Sequence, residues 1–68
     1  MLIEFTVIRI DGKIALVKAN NSAFPSLGEI PLVATTLDID KFKVPHNSAP
    51  TVYGVLTNQL RMDSRRSE

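Results

Sequence analysis

Apolar positions dominate the start of the chain in two runs, Leu2 to Ile10 and Ile14 to Asn20, separated by Asp11-Gly12 and Lys13. β-Branched and aromatic side chains fill both runs, and Asp-Gly supplies the positive φ angles of a tight turn, so the pattern predicts a β-hairpin. On the first arm, Ile3, Phe5, Val7 and Arg9 share one face, and Leu2, Glu4, Thr6, Ile8 and Ile10 share the other. A two-residue turn opposes Val7 to Leu16 and Arg9 to Ile14. A three-residue turn that includes Lys13 opposes Ile8 to Leu16 and Ile10 to Ile14. In either register both faces keep aliphatic side chains, to which Ala15, Val17 and Ala19 contribute. A ribbon with two apolar faces needs cover on both sides, from the rest of a barrel or from another copy of the chain.

Past the hairpin the pattern weakens. Asn20 to Glu29 (NNSAFPSLGE) has the Asn, Ser, Pro and Gly content of a loop, with Phe24 and Leu27 as anchors over a core edge. Ile30 to Leu37 (IPLVATTL) reads as a strand, with Pro31 placing its beginning at a sheet edge or at the strand start and a short helix as the competing reading. Ile39 to Val44 (IDKFKV) alternates strictly and predicts a strand. Pro45 to Pro50 is an irregular connection, and Thr51 to Leu60 (TVYGVLTNQL) reads as a final strand in which Gly54 marks a bulge, a bend or a close approach of another backbone. The expected fold is all-β: a small antiparallel four- to five-stranded partly open barrel or curved sheet over residues 1–60, with the hairpin at its N-terminus and room for one short helical turn. Residues 61–68 (RMDSRRSE) are expected to form a polar, frayed tail.

Length and composition sharpen this picture. A chain of 68 residues with no Cys and a single His has no disulfide and cannot build a Cys/His zinc site, which leaves self-association as its means of reinforcement. The net charge of +1 gives no strong field toward nucleic acid or membranes. The opening MLIEFTVIRID lacks a basic leader, and no stretch approaches the roughly 20 apolar residues of a membrane span, so a cytoplasmic protein is expected.

Candidate chemistry is sparse. Asp38 and Asp40 fall on one side of a strand, as a paired-carboxylate site would require, but a hard cation needs more oxygen ligands, and turn capping or a solvated edge is the simpler role. His46 lies beside Asn47 and Ser48 without an orienting third group or an oxyanion hole. Scattered glycines do not make a phosphate cradle. No catalytic residue, metal or cofactor is therefore expected. The leading expectation is a non-enzymatic, homo-oligomeric interaction or assembly module that also meets a partner protein through a sheet face or edge, with Ile8, Ile10, Val17 and Val55 at the oligomer interface. The alternative is a single-stranded nucleic-acid-binding barrel using Lys18, Lys41, Lys43, Tyr53 and Arg61, with Tyr53 as the stacking ring and Arg65 and Arg66 adding charge.

Overall fold

The fold is an open, four-stranded antiparallel sheet with one C-terminal helix against one of its faces; the computed structural model describes residues 1–65. Strand β1 (Leu2–Ile10) and strand β2 (Lys13–Ala19) form the predicted hairpin. Asp11 and Gly12 take the turn at φ 53° and 83°, the left-handed values that a two-residue hairpin connection demands. Strand β3 is only Leu27–Gly28, paired to β2, and strand β4 (Leu37–Pro45) pairs along the whole of β1. The sheet order is therefore β3-β2-β1-β4.

Both anticipated hairpin registers occur, one on each side of an irregularity. Next to the turn, Arg9 faces Ile14; beyond it, Ile8 faces Leu16, because Ala15 is an extra residue on β2. The offset lets a tight turn and an inward-facing Val17 coexist on the same ribbon. Ile14 lies opposite Arg9 at a non-hydrogen-bonded position of the hairpin, so its backbone N–H points out of the β1–β2 ladder. Asp63 Oδ2 accepts that N–H at 3.0 Å, while Asp63 Oδ1 accepts from Gln59 Nε2 at 2.9 Å. Asp63 is only 5% exposed, and a carboxylate buried so deeply is tolerable because donors meet it.

The segment expected to be the last strand is a helix. Helix α1 (Ala49–Arg65) follows a turn in which Ser48 accepts the first helical bond from the Val52 N–H at 3.1 Å. Pro50 lies in the first turn, where its missing donor has no helical partner to lose. Ala49, Val52, Tyr53, Leu56, Leu60 and Asp63 form the buried or half-buried stripe, with the three- and four-residue spacing of one helical face. The same Val52, Leu56 and Leu60 fall on one side of a strand, since a spacing of four satisfies both periods. Packing against the sheet overrides the β-branched composition. Gly54 is neither a bulge nor a close approach; it lies on the exposed side of α1 with nothing near its missing Cβ.

Three other expectations are corrected. The structure has no barrel, because one edge ends at β3 and the other at β4. Ile30 to Thr36 forms no strand; it is an irregular strap that carries the chain from β3 past the hairpin turn to β4, and Asp11 ties its end to the turn through Thr36. Residues 61–65 continue α1 and are held by Asp63 instead of fraying, while residues 66–68 of the expected tail lie outside the described residues.

The core lies between α1 and the inner face of β1 and β2. Ile3, Phe5 and Ala49 form one buried group, and Val7, Ile14 and Val17 form the next, bridged by Tyr53 and Leu56. Phe5 is fully buried, and its ring meets Phe24 of the loop at 5.9 Å, Phe42 of β4 at 5.9 Å and Tyr53 of α1 at 6.4 Å. Phe24 is thus the anchor that the loop reading anticipated, whereas Leu27 is 40% exposed.

Gly28 is the tightest backbone approach. Its φ is 108°, and a Cβ there would lie 2.2 Å from the Ala15 carbonyl oxygen and 2.8 Å from Leu60 Cδ1. Gly28→Ala is expected to destabilise the fold by about 2 kcal/mol or more, because both the backbone angle and the β2–β3 spacing must change. Urea unfolding monitored by circular dichroism measures the loss.

Candidate functional site

A surface for recognition arises from what α1 does not cover. Alternation along the strands places Leu2, Glu4, Thr6, Ile8 and Ile10 of β1, Leu16 and Lys18 of β2, and Leu37, Ile39, Lys41 and Lys43 of β4 on the outer face of the sheet. Helix α1 packs on the opposite face; on this one Ile8 and Leu16 are half-buried, and Ile10, opposite Lys13 and Leu37, is only 6% exposed. Cross-strand pairing then divides it. Leu16, Ile8 and Ile39 make an apolar row, with Leu37 beside it at 52% exposure and Ile39 itself at 53%. The next row is Lys18, Thr6 and Lys41, followed by Lys43 opposite Glu4. The outer face therefore has an apolar end near the hairpin turn and a basic end away from it.

Strand β4 adds a second open feature, its backbone edge. The Glu4 N–H donates to Asn20 Oδ1 and the Glu4 carbonyl accepts from the Asn20 N–H, so even-numbered residues of β1 turn their polar groups toward β2. Odd-numbered residues of β1 consequently bond to β4, as Asp11 does to Thr36 just beyond the strand ends. In β4 the amides and carbonyls of Leu37, Ile39, Lys41 and Lys43 therefore point outward, where no strand among the described residues follows.

The residues singled out from the sequence separate accordingly. Lys18, Lys41 and Lys43 come together on the outer face and are exposed. Tyr53 does not join them: its ring is wedged between Phe5 and Phe24, and its hydroxyl donates to the Pro25 carbonyl at 2.7 Å. Arg61 is exposed, but on α1 in the other layer, and Arg66 lies outside the described residues. Of the four expected interface residues, Ile8 and Ile10 fall on the outer side of β1, and only Ile8 keeps exposed area there. Val17 is fully buried beneath α1, and Ile10 is 6% exposed, so neither has area to offer a partner. Val55 is exposed on the far side of α1. Leu16, Leu37 and Ile39 were not singled out, although the alternation that puts Ile39, Lys41 and Lys43 on one side already carried the signal.

Neither candidate for chemistry is assembled into a catalytic arrangement. Asp38 and Asp40 do share the inner face of β4, where Arg9 ion-pairs with Asp40. Among the described residues no group of three His, Cys, Asp or Glu side chains comes together. His46 is exposed, and its backbone N–H donates to the Met1 carbonyl at 3.1 Å. A cleft of about 580 Å³ opens between the hairpin turn, the strap and the end of α1, lined by Ile10, Ile14, Pro31, Val33, Leu60 and Asp63. Both carboxylate oxygens of Asp63 accept hydrogen bonds inside it. No helix of the described residues is long and apolar enough to cross a membrane. Comparison with family models, with curated proteins and with solved structures finds no match to this chain.

One titration is built into the turn. The Thr36 N–H and Oγ1 both donate to Asp11 Oδ1, at 2.9 and 3.1 Å, and these bonds hold the Asp11 carboxyl below its ordinary value of 3.8, the backbone donor contributing most. A carboxyl with a depressed folded-state pKa lends its stabilisation above the ordinary value and loses it as pH falls through the lowered one. The Thr36 amide resonance is therefore expected to titrate with a midpoint below 3.8. Asp11→Asn, which keeps a residue tolerant of positive φ, removes that titration. Proton-detected NMR across acidic pH measures both.

Proposed function

We propose that this chain is a non-enzymatic assembly module that binds a second copy of itself through the apolar end of its outer sheet face. The supporting observation is the apolar outer-face row Leu16, Ile8 and Ile39 with Leu37 beside it, of which Ile39 and Leu37 are half exposed, while α1 is committed to the opposite face. A two-fold interface must be complementary to itself. An axis through the apolar row satisfies this: aliphatic side chains meet aliphatic side chains, and the lysine ends of the two copies diverge. An axis through the basic end would instead bring Lys18, Lys41 and Lys43 against their own images. Aliphatic burial is the driving force, at roughly 25 cal/mol per Å² of apolar surface removed from water.

Sedimentation equilibrium tests the proposal. The native chain is expected to be a dimer at micromolar concentration, and Ile39→Asp a monomer with its fold intact, since an exposed substitution on an edge strand changes stability by no more than about 0.5 kcal/mol. A native chain that remains monomeric at a hundred times that concentration overturns the reading.

The lysine row favours a second reading, in which Lys18, Lys41 and Lys43 follow the backbone of a single-stranded nucleic acid. With Tyr53 engaged in the core, this face lacks the stacking ring that such binding uses, so the reading rests on charge alone. Three phosphate contacts predict a slope of log affinity against log salt of about −2. Fluorescence anisotropy with a labelled oligothymidylate reads that slope, and Lys18→Glu with Lys41→Glu is expected to abolish binding.

A further inference from the structure

The edge of β4 is open over nearly its whole length, and its side chains bear on what can pair there. Directly opposed residues in an antiparallel pair share a face, so a second copy of β4 could dock only with odd residues against odd and even against even. Each such register that pairs most of the strand opposes like charges. Centring on Lys41 puts Lys41 on its own image; centring on Phe42 puts Lys41 on Lys43; centring on Asp40 puts Asp40 on Asp40; centring on Ile39 puts Asp38 on Asp40. Like charges in direct opposition destabilise a strand pair. The edge is thus guarded against its own copy while its outward amides and carbonyls stay available.

The same charges describe a different occupant. We propose that β4 receives an extended segment of a partner protein, added antiparallel as a fifth strand, with acidic residues opposite Lys43 and Lys41 and apolar residues opposite Ile39 and Leu37. Such a segment alternates acidic, apolar, acidic, polar, apolar, basic, apolar from its N-terminus. Its second residue lies over the inner-face edge of Phe42, which is 36% exposed although stacked on Phe5. Its sixth residue, basic, faces Asp38; Asp40 is already taken by Arg9. Lys41 is the main charge contact, because its own neighbours across the sheet are Thr6 and then Lys18, whereas Lys43 has Glu4. Main-chain hydrogen bonds to Leu37, Ile39, Lys41 and Lys43 supply the affinity, and the alternating side chains supply the choice of partner. This occupant uses the edge and leaves the outer face free, so it does not depend on self-association.

A labelled synthetic peptide, Glu-Val-Glu-Thr-Val-Lys-Val with both ends blocked, tests the proposal by fluorescence anisotropy and by ¹⁵N chemical-shift mapping on the full chain. Saturable binding is expected, with shifts concentrated at residues 37–43. Lys41→Glu in the protein, or Lys in place of the peptide's third residue, is expected to weaken binding about fivefold, and combining the two restores it. Methylating the amides of the peptide residues that face Leu37, Ile39, Lys41 and Lys43 abolishes binding, while methylating the intervening amides does not. Absence of saturable binding at millimolar peptide overturns the proposal, as do shifts confined to the outer face of β1 and β2 or indifference to which amides are methylated. A result that the chain is monomeric would remove the self-association reading and leave this one standing.

Discussion

One helix cannot cover a four-stranded sheet, and much of this molecule follows from that mismatch. An α-helix with its side chains is about 10–12 Å across, whereas strands lie about 4.8 Å apart, so a single helix shields roughly two of them. Helix α1 is spent on β1 and β2, where Val7, Val17 and Phe5 reach full burial. Strand β4 stays exposed along eight of its nine residues. Surface chemistry is therefore concentrated on β4, whose alternation sorts lysines to one face and aspartates to the other.

The helix is held over the hairpin at two heights. Near its start, Tyr53 stacks between Phe5 and Phe24 and reaches the Pro25 carbonyl, which fixes the long loop as well as the helix. Near its end, Asp63 takes the Ile14 amide, which points out of the β1–β2 ladder opposite Arg9. The outward amide and the buried carboxylate satisfy one another: without Asp63 a buried N–H would be stranded, and without that donor the carboxylate would be costly in the interior. Gly28 completes the arrangement by allowing the short β3 to come against the bulged residue itself.

Much of this was legible in the residues, and the failures have physical causes. The hairpin, its Asp-Gly turn and the β4 strand follow from β-branched alternation, and the two-sided apolar ribbon pointed to a sheet that needs a partner layer. The identity of that layer was hidden, because Val52, Leu56 and Leu60 recur at a spacing compatible with strand and helix alike. Thr51, Val52, Val55 and Gly54 then tilted the reading toward a strand. With the helix unseen, closure into a barrel or a second copy of the chain stood in as the cover for the ribbon. Misplacing the layer also misplaced Tyr53, Val17 and Ile10, which were assigned to surfaces and lie inside. The lysines fared better, since β4 is a strand in both readings and its alternation alone sets where they point.

Tyr53 has a consequence beyond packing. It is the only tyrosine in a chain without tryptophan, and it stands where helix, sheet and loop converge. Its near-ultraviolet absorption and emission therefore report on one place, the seam between the two layers. The protein carries its own optical gauge of whether the helix is seated, with no label needed and no tryptophan to mask the signal.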